Sequence, residues 1–170
     1  MIEVDITKEM ISRALELSKA LGNLKHSIRG GEGNLAGFLG EECVLKAFPK
    51  ASRDNDYQHD LVLENKRLEV KTKDRTVIPR TYYECSVPSY NTHQDADYYV
   101  FVSLLRKGDE YVKGYIVGYM RKSEYYQKAR HLKRGDLDTS NNFVVKADCW
   151  NLPISELRTW KGNNGKSTKP

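Results

Sequence analysis

The chain has 170 residues, 39% hydrophobic and 30% charged, which suits one folded domain with a sizeable core and excludes a low-complexity polymer. Its net charge of +5 and sequence pI of about 9.0 lean toward polyanionic partners. The acidic start Met1-Ile2-Glu3-Val4-Asp5 is unlike a secretory leader, no stretch has the length of a membrane span, and Cys43, Cys85 and Cys149 lack paired spacing. These features predict a cytoplasmic protein with no membrane partner and no zinc site.

In chain order, Met10, Ile11, Ala14, Leu15, Leu17 and Leu21 recur at helical spacing and predict a helix over about 7–21. A glycine-rich connection spans 23–33. Asn34 is a good N-cap for a second helix, which Pro49 would end after Phe48. Residues 51–59 read as polar loop, followed by short strands over 60–64 and 67–73 and a third around 82–87. Two clearer strands, 97–105 and 111–119, are joined by a Lys107-Gly108-Asp109-Glu110 turn. Ser123 can cap a helix ending near Gly135. A strand around 143–145 and a helical turn after Pro153 close the domain, and the basic tail 161–170 reads as flexible. The layout is an α+β domain over 1–160, with a mixed central β-sheet flanked by helices and a core over about 34–119.

Residues 59–72, HDLVLENKRLEVKT, set charges among core residues. With Asn65-Lys66 as the turn, Leu63 faces Leu68, Val62 faces Glu69, Leu61 faces Val70 and Asp60 faces Lys71. Leu61, Leu63, Leu68 and Val70 then form one apolar face, and Asp60, Glu69 and Lys71 cluster on the other. A slip of one residue would break the apolar side, so burial should hold the faces. Two neighbouring carboxylates repel, and one takes up a proton unless a cation is supplied. Lys71 supplies part of that charge. A hard divalent ion such as Mg2+ would supply the rest, activate a water and offset charge on a phosphoryl group.

In this pattern the sequence resembles the PD-(D/E)XK nuclease superfamily, with its restriction-endonuclease-like fold. Asp60 matches the first motif acid and Glu69-Val70-Lys71 the E-x-K tripeptide, with His59 where many members have proline. The resemblance implies a core of helix, three strands, helix and strand. It implies metal bound by Asp60, Glu69 and the Val70 carbonyl, with Lys71 catalytic and Mn2+ able to replace Mg2+. It also implies a further glutamate on the preceding helix, directly or through a water. Helical-wheel placement favours Glu41, beside Gly37, Phe38, Leu45 and Phe48, over Glu42. The implied activity is metal-dependent hydrolysis of DNA, more readily endonucleolytic than exonucleolytic. The alternative is a nucleic-acid-binding protein that keeps the fold without cleaving.

Other motifs are weaker. Glu64-Asn65-Lys66 repeats E-x-K on the expected turn, Gly31-Glu32-Gly33 lacks the buried strand of a dinucleotide fingerprint, and Gly165-Lys166-Ser167 lacks a P-loop's first glycine. Gln94-Asp-Ala-Asp-Tyr98 spells a Q-x-x-x-Y found in some nuclease branches, there on a helix. Residues 121–134 hold six Lys/Arg against one Glu. From these, Lys128, Arg130, Lys133 and Arg134, with Lys73 along the active strand, are the candidate phosphate-backbone contacts. DNA is the expected partner, and a homodimer stays open.

Overall fold

The computed structural model describes residues 1–21, 32–54, 58–91, 93–140 and 142–160. Most of the glycine-rich connection and the tail 161–170 lie outside the described residues. In chain order the elements are β1 (Ile2–Asp5), α1 (Lys8–Leu21), α2 (Glu32–Ala47), β2 (Ser52–Arg53), β3 (Leu61–Leu63), β4 (Lys66–Arg75), β5 (Glu84–Pro88), β6 (Tyr98–Lys107), β7 (Glu110–Arg121), α3 (Lys122–Lys128), β8 (Arg130–Leu132), β9 (Leu137–Asp138), β10 (Phe143–Val144) and β11 (Cys149–Pro153). Six strands form a mixed sheet in the order β1-β7-β6-β4-β3-β2, in which β4 and β6 run parallel and the other neighbours antiparallel. A second sheet, β5-β11-β8, and the β9-β10 pair complete an α+β fold. Among the described residues no helix is long and apolar enough to cross a membrane.

The central strand explains the layering. In β6, residues Tyr99 to Leu105 are all buried, as a strand covered on both faces requires. Val100, Val102 and Leu104 meet Met10, Ala14, Leu39, Cys43 and Val44 of α1 and α2. Tyr99, Phe101 and Leu105 meet Val87, Tyr125, Leu152 and Ile154 on the opposite side. Leu39 is fully buried, and truncating such a leucine to alanine costs about 2–5 kcal/mol. Helix α2 reaches the sheet closely at Gly40, where an added Cβ would collide with Thr72 Oγ1.

Four features differ from the sequence expectations. Helix α2 starts at Glu32, so Asn34 lies inside it rather than capping it. Its sheet-facing side is Ala36, Leu39, Gly40, Cys43 and Val44, while Phe38, Leu45 and Phe48 are only half-buried. The helix expected to run to Gly135 stops at Lys128, because Ala129 turns extended (ψ 144) and residues 130–132 pair with β11 instead. Between β4 and β6 the expected third strand is present as β5, but where the resemblance implies a helix after it stands a 3-10 turn over Ser89–Asn91. Pro79 and Pro88 and the lack of a 3.6-residue apolar repeat in that stretch disfavour a helix there.

The hairpin turn is Glu64-Asn65, not Asn65-Lys66. Both turn residues have positive φ, 49° and 60°, as a tight two-residue hairpin turn demands. Asparagine tolerates that region, and the observed turn spares Lys66 from it. The register is Leu61↔Leu68, Val62↔Arg67 and Leu63↔Lys66. This is a slip of two residues from the expected pairing, and side-chain alternation has a period of two. Every side chain therefore keeps its expected face.

Candidate active site

The two-residue slip changes which charges are neighbours. Strand β3 pairs with β4 only from Leu61 onward, and Asp60 continues the ladder by donating its N–H to Leu68 O at 3.0 Å. Beyond that point Asp60 Oδ2 accepts the Val70 N–H at 2.7 Å. Asp60 thus lies opposite Glu69 rather than Lys71, and the two carboxylates stand side by side. Burial, then repulsion from Glu69, pushes the Asp60 carboxyl up to about 7, against the pull of the Val70 N–H, Lys71 and Arg53.

Glu69 and Lys71 share the sheet face of Tyr99 and Phe101, their partners in β6. Lys71 Nζ donates to Glu69 Oε1 at 2.8 Å and to Gln94 Oε1 at 2.9 Å, and it lies 5.8 Å from the Tyr99 ring centroid. Glu69 is 3% exposed, and its Oε2 has no hydrogen-bond partner among the described residues. A buried carboxylate oxygen without a donor is costly unless something else meets it.

The segment carrying Gln94 is fixed by a clamp at the start of β4. Asp97 accepts the Arg67 N–H at 2.9 Å and Arg67 Nη2 at 3.0 Å, and its own N–H returns to Arg67 O at 2.9 Å. The Arg67 hydrogen bonds hold the Asp97 carboxyl down at about 2. Lys122, the first residue of α3, donates its N–H to Asp97 O at 3.0 Å and its ammonium to Gln94 O. Gln94 therefore holds two lysines, Lys71 by its side chain and Lys122 by its carbonyl.

Glu41, Asp60, Glu69, Lys71 and Lys73 line one cleft of ≈ 620 Å³. Glu42 lies outside it, in the groove between α1 and α2 with Arg13 and Lys46. Both helix acids are buried, at 7% and 4% exposure, and both are held by Arg53: Nη1 donates to Glu41 and Nη2 to Glu42 at 2.9 Å. Glu42 also accepts from Arg13 Nε at 2.8 Å.

Asp60 and Glu69 form a carboxylate pair with one orphaned oxygen, a donor set that fits a hard divalent cation completing its shell with water. No third His, Cys, Asp or Glu joins them at ligating distance among the described residues, and Glu41 is tied to Arg53.

The expected phosphate contacts divide into three kinds. Lys73 lines the cleft and is exposed, with partial desolvation and Arg75 holding its ammonium below the usual lysine range. Lys128 pairs with Glu124 at 3.7 Å and Glu156 at 3.6 Å, and Arg130 pairs with Glu84 at 3.0 Å and Asp138 at 3.1 Å. Lys133 and Arg134 are exposed and, among the described residues, make no side-chain ion pair. These four cations do not share a helix face, because α3 ends before Arg130.

Sequence reasoning passed over Arg53, in a stretch read as loop, and Lys122, one cation among several. The Q-x-x-x-Y residues lie on a helix in the nuclease branches that carry them, whereas Tyr98 here enters a strand, as the sequence suggests. Gln94 reaches the site from an irregular segment, whereas Tyr98 points to the α2 side and Tyr99 faces Lys71. The Tyr99 and Tyr126 hydroxyls meet at 2.7 Å, and the Glu69 charge reaches both. No protein-family model matches the chain, and no curated protein matches it at a significant level.

Proposed function

We propose that the protein is a metal-dependent phosphodiesterase that cleaves DNA, an endonuclease of the PD-(D/E)XK kind. One observation carries the reading: Asp60, Glu69 and Lys71 converge in one cleft, with Lys71 bonded to one Glu69 oxygen and the other oxygen left without a donor. A surface hairpin with a solvated polar face would have neither the burial of Glu69 nor the raised carboxyl of Asp60.

Asp60 and Glu69 would hold Mg2+ or Mn2+ together with the Val70 carbonyl. When bound, the ion supplies water activation and charge neutralisation at the phosphoryl group. The remaining work belongs to the chain. Lys71, oriented by Glu69 and Gln94, presents its ammonium to the charge that grows on the transferring phosphoryl oxygens. Lys122 and Lys73 add cations for the flanking phosphates of the strand. Asp60 keeps its orientation through the Val70 N–H, so the carboxylate pair is preset by the end of the β3-β4 ladder. The three free cysteines and the lack of a membrane-spanning helix among the described residues suit a cytoplasmic enzyme.

The test is cleavage of duplex, single-stranded and nicked DNA with Mg2+, Mn2+ or chelator, comparing wild type with Asp60→Ala. Metal-dependent cleavage by wild type, lost in the variant, is the expected result. Equal low cleavage by both marks a contaminant. DNA binding with no cleavage in either metal favours the non-cleaving binder, a reading that gains weight from the hold of Arg53 on Glu41.

A further inference from the structure

Arg53 lies in β2 opposite Leu61, one residue from Asp60 in the neighbouring strand. Its guanidinium donates one arm to Glu41 and the other to Glu42, lies 5.9 Å from the Phe38 ring centroid, and acts electrostatically on Asp60. Two-armed donation to two different carboxylates is what the planar fork of arginine allows and the point charge of lysine does not. Four carboxylates, Glu41, Glu42, Asp60 and Glu69, here meet three cations, Arg13, Arg53 and Lys71. Glu42 keeps Arg13 whatever Arg53 does, but Glu41 pairs with no other cation among the described residues.

We infer that Arg53 is a positioning residue that competes with a divalent ion for the acids of the cleft: it holds Glu41 toward Glu42, shields Asp60, and must yield Glu41 before such an ion can gain a third carboxylate. The inference rests on the metal-dependent reading above and goes beyond it, since that reading assigns Arg53 no part. It accounts for two observations together. Glu41 lines the cleft of Asp60 and Glu69 with its carboxylate engaged by a guanidinium, and no third His, Cys, Asp or Glu stands at ligating distance of that pair among the described residues. Glu69 Oε2 has no donor among the described residues. A positive charge beside the acids opposes a dication, so Arg53 lowers divalent affinity and makes binding depend on a switch of partner.

The test is Mn2+ binding without nucleic acid, followed by calorimetry and by the electron paramagnetic resonance signal of unbound Mn2+. Wild type, Arg53→Met, Arg53→Lys and Arg53→Met/Glu41→Gln are compared, each checked for fold by circular dichroism. Arg53→Met is expected to bind Mn2+ about tenfold tighter than wild type, from the loss of one opposing charge and the release of Glu41. Arg53→Lys, which keeps the charge but not the two-armed hold, is expected to gain about threefold. The double variant should return to wild-type affinity or weaker, because the released ligand is gone. Folded Arg53→Met that binds no tighter than wild type overturns the inference, as does a gain that persists in the double variant. Should Arg53→Met not fold, the sign of the Arg53→Lys change decides in the same way. Binding by Arg53→Met when wild type shows none upholds it in its strongest form. If no variant binds, the metal-dependent reading falls and this inference with it.

Discussion

Two clusters of buried acid in this protein are built on opposite principles. Asp138, 1% exposed, receives Arg130 Nη1, the Ser140 N–H and the Ser140 hydroxyl on one oxygen and Asn151 Nδ2 on the other. Burial alone would raise its carboxyl, but hydrogen bonds from Ser140, Arg130 and Asn151 outweigh that and hold it below the usual range. Asp60 is the reverse case. It takes one backbone N–H, faces a second carboxylate, and is pushed up to about 7, while the adjoining Glu69 keeps an oxygen without a donor. A satisfied acid fastens strands together; an unsatisfied pair is poised to take up a cation. Arg130, one of the expected phosphate contacts, is engaged in the fastening cluster through Glu84 and Asp138.

The two clusters part most visibly at Lys71 and Asp138. Lys71→Ala should lower cleavage by about a thousandfold or more in a chain that still folds, because the proposed reaction relies on its charge at the phosphoryl group. Single-turnover kinetics with circular dichroism would check both halves, and retained cleavage would strip Lys71 of its role. Asp138→Ala should do the converse. Leaving Arg130 and Asn151 without their buried acceptor should cost about 3 kcal/mol in urea unfolding, with activity per folded molecule unchanged.

A smaller effect sharpens the contrast through pH. The folded carboxyl of Asp60 titrates near 7 and the unfolded one near 4, so between those values the folded state binds more protons than the unfolded. Its contribution therefore falls as pH rises from about 4 to 7 and stays at its low value above that. In metal-free buffer Asp60→Asn should stabilise the protein by about 1–3 kcal/mol at pH 8, and the gain should shrink toward pH 4. For Asp138, whose carboxyl is held low, Asp138→Asn should destabilise at pH 8, and the difference should fade on acidification. Melting curves of both variants across that range would show opposite signs; a common sign would dissolve the distinction between the clusters.

The smallest effect concerns the basic surface. Lys133→Ala/Arg134→Ala should weaken DNA binding a few-fold and lower the salt slope by about 2, one per phosphate contact. Lys128→Ala/Arg130→Ala should leave the slope near wild type, because those charges already answer Glu124, Glu156, Glu84 and Asp138. Binding measured from low to high salt separates the pairs, and equal slopes would return all four residues to one surface.

Much of the frame was legible in the residues. The alternation of Leu61, Leu63, Leu68 and Val70 with Asp60, Glu69 and Lys71 settles which side of the sheet each faces, and it survives a misplaced turn because a slip of two preserves the faces. The near-continuous apolar run of β6 likewise announces a central strand. Short strands such as β2 and β8 carry too few residues for a periodic signal, so Arg53 was hidden in a loop and Arg130 in a helix.

The sequence by itself determined the faces of the hairpin, the order α2, β3, β4, β5, β6 and β7, and the company of two acids and a lysine. Those follow from local periodicity, which each segment carries alone. Only the tertiary structure decided that Asp60 meets Glu69 rather than Lys71, that Gln94 and Lys122 reach the same ammonium neighbourhood, and that Arg53 takes hold of Glu41. Those contacts join segments tens of residues apart, and their existence depends on the packing of α2 at Gly40 and on the Arg67–Asp97 clamp, neither of which has a repeating pattern along the chain.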